Sequence, residues 1–138
     1  MIFSAISETQ YEQVFMYLKQ ELGLENNFFL TGSLGAGKTT FVRKLGAFLG
    51  VRELITSPTF SIMQVYHAGN TPIYHLDLYR LTELEEAHEI GVEELLFGTS
   101  GIKLLEWGEK FPELMRAGYQ ITLSRDTELT RRISIKKV

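Results

Sequence analysis

The residues best suited to chemistry lie between positions 32 and 39, where Gly32-Ser33-Leu34-Gly35-Ala36-Gly37-Lys38-Thr39 has the form G-x-x-x-x-G-K-[ST]. Glycines at these places let a loop wrap tightly enough for its backbone N–H groups to ring a phosphate. A helix that starts directly afterwards points its positive end into the same space. In such a loop Lys38 reaches the β- and γ-phosphates as a point charge, and the Thr39 hydroxyl sits on Mg²⁺. The flanks agree. Phe28-Phe29-Leu30-Thr31 is an apolar run of buried-strand length, and Thr40 to Leu49 carries Phe41, Val42, Leu45, Phe48 and Leu49 at helical spacing before stopping at Gly50. Strand, loop and helix in this order separate a phosphate loop from a chance glycine-rich turn.

A phosphate loop of this kind needs a carboxylate at the end of a neighbouring strand, because Mg²⁺ takes oxygen ligands beyond one hydroxyl. Two positions compete. Glu106 follows the apolar pair Leu104-Leu105, the place of a Walker-B carboxylate, and its plain alternative is a surface strand-end glutamate. Asp77 lies on a strand with apolar neighbours, where an uncompensated carboxylate is costly; its plain alternative is a salt bridge to Arg80 or another cation. Ser57-Pro58-Thr59 reads equally well as a hydroxyl segment that senses a γ-phosphate or its metal, as switch loops do, and as an ordinary strand entry. His75 shares the face of Asp77 and reads as a strand histidine satisfied by a neighbour rather than as a catalytic group. His67 and His88 fit no pattern.

The elements that must hold these residues follow from periodicity. Ile2 to Ile6 predicts a first strand. Ser7 with Gln10 is a capping box for a helix whose Val14, Leu18 and Leu22 share a face and which Gly23 ends, and Asn26-Asn27 turns the chain into the strand before the loop. Pro58 breaks the helical pattern, after which Phe60 to Tyr66 and Ile73 to Tyr79, joined by Gly69-Asn70, predict an antiparallel hairpin. Alternation puts His75, Asp77 and Tyr79 on one face of its second strand and Tyr74, Leu76 and Leu78 on the other. Thr82 with Glu85 predicts a capping box for a short acidic helix interrupted at Gly91. Val92 to Phe97 continues helically, and Glu83, Glu85, Glu86, Glu89, Glu93 and Glu94 form the solvated face. Gly101 to Glu106 predicts a buried strand, and Tyr119 to Leu123 with Ile133 to Ile135 a closing pair.

Composition sets the outer limits. With 138 residues, 44% of them hydrophobic, the chain is expected to be one domain spanning residues 1 to 138 with a real core. A formal net charge of −3 and the lack of any Lys/Arg run disfavour free nucleic acid as the primary partner. The absence of cysteine removes disulfide scaffolds, thiolate metal sites and cysteine nucleophiles. No apolar run has the length of a membrane span and the first residues lack signal-peptide character, so a cytoplasmic location without a membrane partner is expected.

The phosphate loop, Ser57-Pro58-Thr59-Phe60, His75-Leu76-Asp77-Leu78-Tyr79-Arg80 and Leu105-Glu106-Trp107, in this order and spacing, resemble the TsaE (YjeE) family of bacterial ATPases. The resemblance runs nearly end to end. It implies an α/β fold: a single P-loop NTPase-like three-layer domain with a mixed β-sheet that includes the antiparallel hairpin. It also implies an ATPase that acts with the TsaB and TsaD proteins in making threonylcarbamoyl adenosine in tRNA, meeting tRNA mainly through that complex, with ATP and Mg²⁺ as cofactors. Carried over residue by residue, Gly32, Ser33, Leu34, Gly35, Ala36, Gly37, Lys38, Thr39 and Thr40 bind nucleotide. Thr39 and Glu106 hold the metal, Asp77 positions or activates water, and Thr59 is the switch hydroxyl. Glu8 and Thr9 belong to the segment that borders the adenine, and Arg131 or Arg132 supplies a basic group near the nucleotide. Trp107 is expected to be a partner-facing or site-wall residue. A small-molecule kinase is disfavoured because no arginine-rich lid is present, and a GTPase because N-K-x-D is absent; a nucleotide-dependent binding module with negligible turnover is the non-enzymatic alternative.

Overall fold

A computed structural model describes all residues, 1 to 138. Seven strands form one sheet: β1 (Ile2–Ile6), β2 (Asn27–Thr31), β3 (Met63–Ala68), β4 (Thr71–Asp77), β5 (Ile102–Glu106), β6 (Gly118–Arg125) and β7 (Arg131–Lys137). Their spatial order is β1-β7-β6-β2-β5-β4-β3. The middle four, β6-β2-β5-β4, are mutually parallel; β3 and β7 run antiparallel beside them, and β1 pairs antiparallel with β7 at the outer edge. The mixed sheet with a terminal hairpin is thus as the sequence implies.

Parallel strands are buried on both faces, and β2 and β5 are buried at every position. Alternation divides their side chains between two cores. Phe28, Leu30, Ile73, Ile102 and Leu104 face α1 (Tyr11–Tyr17) and α2 (Lys38–Leu49), where Phe15 and Phe41 meet edge-to-face at 5.3 Å. Phe29, Leu76 and Leu105 face α3 (Leu84–Glu89) and α4 (Val92–Gly98) on the other side. Each such aromatic, fully buried, contributes about 1.5–3 kcal/mol. The helices therefore clamp the sheet from both sides, and the carboxyl ends of β2, β4 and β5 open onto a common edge.

Several boundaries differ from expectation for identifiable reasons. The capping box at Ser7 forms through the Gln10 side chain, yet it starts a 3₁₀ turn (Glu8–Gln10), with α1 following and a π-helical turn (Leu18–Leu22) before Gly23 at φ +83°. The hairpin does not begin at Phe60: the Ile62 N–H donates to the Pro58 carbonyl, closing a loop that leaves Phe60 86% exposed, and β3 starts only at Met63. Nor does β4 reach Tyr79. The Asp77 carboxylate accepts the Tyr79 N–H and turns the chain out of the sheet. The capping box expected at Thr82 and Glu85 is shifted by one. Glu86 instead accepts from the Glu83 N–H, the Thr82 N–H and the Thr82 hydroxyl, bonds that hold its carboxyl below the usual range. The closing strands are longer than predicted because β6 and β7 continue as a polar ladder beyond the core.

Candidate nucleotide site

β2 runs straight into the glycine loop, and the loop into α2. Gly32 makes this possible: at φ +150°, a Cβ here would lie 2.5 Å from the Leu123 carbonyl oxygen on neighbouring β6. Gly37, at φ +102°, caps α2 from the left-handed region that side chains avoid. The N–H groups of Lys38, Thr39 and Thr40, in the first turn of α2, find no backbone acceptor and face the end of the helix where the dipole is positive. Together they form an anion cradle at the mouth of the sheet.

A cleft of about 420 Å³ opens over this cradle, lined by the loop from Leu34 to Thr40 and, across from it, by Asp77, Glu106 and Trp107. Ser57, Thr59, Tyr79 and Arg131 complete its wall. A second cleft of similar volume, over Leu76, Ile62 and Val92 on the opposite face, gathers apolar side chains with Glu94 as its one charge and offers no comparable polar focus.

Parallel pairing brings the two carboxylates together, for Asp77 on β4 stands opposite Glu106 on β5. Both are buried, and both lie on the face that carries α2. They are held differently. Asp77 has no salt bridge to Arg80, whose guanidinium instead lies over the Phe60 ring. Its Oδ2 accepts the Thr59 hydroxyl at 2.9 Å and its Oδ1 the Tyr79 N–H at 2.9 Å. Ser57 and Thr59 share a hydroxyl hydrogen bond at 2.7 Å, and the Asp77 N–H donates to the Ile62 carbonyl. The Ser57–Ile62 loop is therefore tied to Asp77 by side chain and backbone alike. Glu106 is bonded through Oε2 to the Nε2 of His75, while Oε1 makes no protein hydrogen bond and is not sealed from solvent.

Mg²⁺ requires hard oxygen donors and keeps several waters and phosphate oxygens of its own, so a full protein cage is unnecessary. Accordingly, no three His, Cys, Asp or Glu side chains gather as one. The Thr39 hydroxyl and the free Oε1 of Glu106, both on the cleft, fit such an ion; Asp77, with each oxygen already accepting a protein bond, fits it less well.

The remaining positions divide. Lys38 is buried, donating to the Gly32 carbonyl at 2.8 Å with its ammonium 3.7 Å from the Trp107 ring centre. Trp107 stands at φ +65°, an unusual backbone for a tryptophan, and its ring meets Tyr79 at 5.1 Å. Arg131 lines the cleft and donates to the Ala36 carbonyl at 3.1 Å, whereas Arg132 does not line it: strand alternation places Arg131 on the face of Ile133 and Ile135 and turns Arg132 away. Glu8 borders a side cavity of about 120 Å³ that continues past Gly37 and Thr40 to Arg131, while Thr9 lies outside it, bonded to Ser7. Sequence reasoning passed over Tyr11 and Leu129 in that cavity, since nothing in their spacing marks them.

A parallel-centred α/β sheet with a phosphate loop between its central strand and a helix, and two acidic strand ends beside it, defines a P-loop NTPase-like domain. Residues 5–133 match the family described as threonylcarbamoyl adenosine biosynthesis protein TsaE. The chain belongs to that family. It is 46% identical over 95 residues to the tRNA threonylcarbamoyladenosine biosynthesis protein TsaE of Treponema pallidum, covering 69% of this chain and 68% of that protein. The Bacillus subtilis protein of the same description is 37% identical over 110 residues, 79% of this chain and 68% of the relative. For Rickettsia conorii the values are 43% over 110 residues, 79% and 62%. The matched stretch thus spans about two thirds of the length of these relatives. Among solved structures, Bacillus subtilis YdiB superposes with a TM-score of 0.73 at 26% identity, covering 100% of this chain and 85% of that one.

Proposed function

We propose that the chain binds ATP with Mg²⁺ in the loop cleft and hydrolyses it as a subunit of the tRNA threonylcarbamoyladenosine machinery, working with TsaB and TsaD in the cytoplasm. The observation that carries the reading is the meeting of three parts at one cleft: a phosphate cradle, a carboxylate with one free oxygen at Glu106, and a second, fully oriented carboxylate at Asp77.

Lys38 and the N–H groups at the start of α2 bind the β- and γ-phosphates. Thr39 and Glu106 hold Mg²⁺, which when bound neutralises charge developing on the phosphates. Asp77 orients a water and takes its proton as the water oxygen bonds to the γ-phosphorus and the bond to the β,γ-bridging oxygen breaks, leaving ADP and phosphate. A carboxylate has about four lone-pair sites, so the bonds from Thr59 and Tyr79 fix Asp77 without preventing it from accepting from water. Thr59 carries its loop's position to Asp77. Arg131 is the one arginine on the cleft, and its Nε–H and one Nη–H donate to the Ala36 and Thr130 carbonyls, which ties it to local backbone rather than leaving it a mobile arginine finger. Turnover by the chain alone is therefore slow, and partners set its rate.

The fate of γ-labelled phosphate tests this reading. Release to water, faster with TsaB, TsaD and tRNA present, is expected; transfer to an added acceptor supports the kinase alternative, and binding without release under every condition supports a binding module.

A further inference from the structure

His75 is fully buried, yet the protein satisfies only half of it. Nε2 is hydrogen-bonded to Oε2 of Glu106, while Nδ1, equally sealed, has no partner. On its face of the sheet the surroundings are core: Ile73 precedes it by two residues on β4, and Leu104 stands opposite on β5. An aliphatic side chain would suit such a place better than a ring with an unmet nitrogen, because buried polar atoms left unpaired are costly. The one polar service the ring performs is toward Glu106. Toward Glu106 in the ionised form that a metal ligand takes, which only accepts, Nε2 is the donor.

Resting on the reading that Glu106 is a metal ligand, we propose that His75 is a positioning residue for it: its Nε2–H engages Oε2 from below the sheet edge and presents Oε1 alone to a divalent cation in the cleft. Asp77 receives the equivalent service from Thr59 and the Tyr79 N–H, which occupy both of its oxygens. The two carboxylates, opposite each other in register, are thereby assigned different tasks by different donors. Partners that orient a ligating group characteristically matter for metal affinity by about 10- to 100-fold.

The test measures Mn²⁺ binding to the complex of the full chain with a non-hydrolysable ATP analogue, by paramagnetic resonance of the free ion, for wild type, His75→Leu, His75→Gln and Glu106→Gln. His75→Leu is expected to weaken Mn²⁺ by about 10- to 100-fold, leave metal-free analogue affinity unchanged, and be largely rescued by His75→Gln, whose amide can still donate. A folded His75→Leu protein with wild-type Mn²⁺ affinity overturns the proposal. If Glu106→Gln weakens Mn²⁺ in the same series, only the role of His75 falls; if Glu106→Gln also changes nothing, the metal reading of Glu106 falls with it. Should His75→Leu not fold, the wild type decides through its nitrogen-15 histidine signals, His67 and His88 being assigned by replacement with Gln. A His75 Nε2 signal that moves when Mg²⁺ binds the analogue complex supports the proposal, and one that stays fixed while Mg²⁺ binds overturns it.

Discussion

The Lys38 ammonium lies 3.7 Å from the centre of the Trp107 indole while it donates to the Gly32 carbonyl at 2.8 Å. The side chain proposed to meet phosphates is thus held between the start of its own loop and the residue that follows Glu106. Such a cation–π contact is worth about 0.5–2 kcal/mol, small enough for the charge-assisted bonds of a phosphate to replace it.

Because Trp107 is the only tryptophan, that exchange should be visible directly. Adding ATP with Mg²⁺ is expected to change the intrinsic fluorescence in a saturable titration, as the ammonium leaves the indole face. A spectrum indifferent to nucleotide, with binding shown independently, would contradict the exchange.

Lys38→Ala should weaken ATP by about 100-fold or more, since hydrogen bonds to charged groups are worth about 1.5–3 kcal/mol each and the lysine serves two phosphates. The fold should survive, because the ammonium bonds only to the Gly32 carbonyl. Calorimetric titration beside a melting curve checks both halves.

Gly32→Ala should act on stability. Its Cβ would meet the Leu123 carbonyl at 2.5 Å, a backbone atom of the central sheet that cannot swing aside. A loss of about 1–3 kcal/mol is expected from urea unfolding. Gly98→Ala, with nothing within 4 Å of its added Cβ, should stay within about 0.5 kcal/mol of wild type.

Lys103 makes a prediction about pH. It is buried on β5, donating to the Leu96 carbonyl at 3.3 Å, and burial pushes its ammonium below its ordinary value of 10.5, against a weaker opposing pull from Glu25. The protonated form therefore disfavours the folded state. Between the lowered folded value and 10.5 the unfolded chain binds more protons, so the contribution of Lys103 to stability rises with pH through that alkaline window and then levels off. Lys103→Met should remove that rise in unfolding measurements across the window.

Local signals revealed much of this arrangement, and long-range ones did not. The loop, its strand and its helix were legible because glycine positions and apolar spacing are written within a dozen residues of one another. Glu106 and Asp77 were legible as strand-end carboxylates, but not that Asp77 would be bonded to Thr59, 18 residues away, rather than paired with Arg80. β propensity extends the hairpin back to Phe60, but from Phe60 to Ile62 it loses to a loop closed onto Pro58 and Asp77. The choice of Arg131 over Arg132 follows from alternation with Ile133 and Ile135, but only once the strand is known to begin at Arg131, two residues before the apolar positions that mark it.

Hydrolysis in this cleft with Asp77 as the group that orients water is tested most directly by single-turnover measurements at saturating ATP, wild type against Asp77→Asn, each with and without TsaB and TsaD. The amide keeps an acceptor for the Tyr79 N–H and a partner for the rotatable Thr59 hydroxyl, so binding should persist. As a poor proton acceptor it should lower the hydrolysis step by about 10²- to 10⁴-fold, while wild type is slow alone and accelerated by the partners. Equal rates for the two proteins in both conditions, or a fast wild type indifferent to TsaB and TsaD, would contradict it.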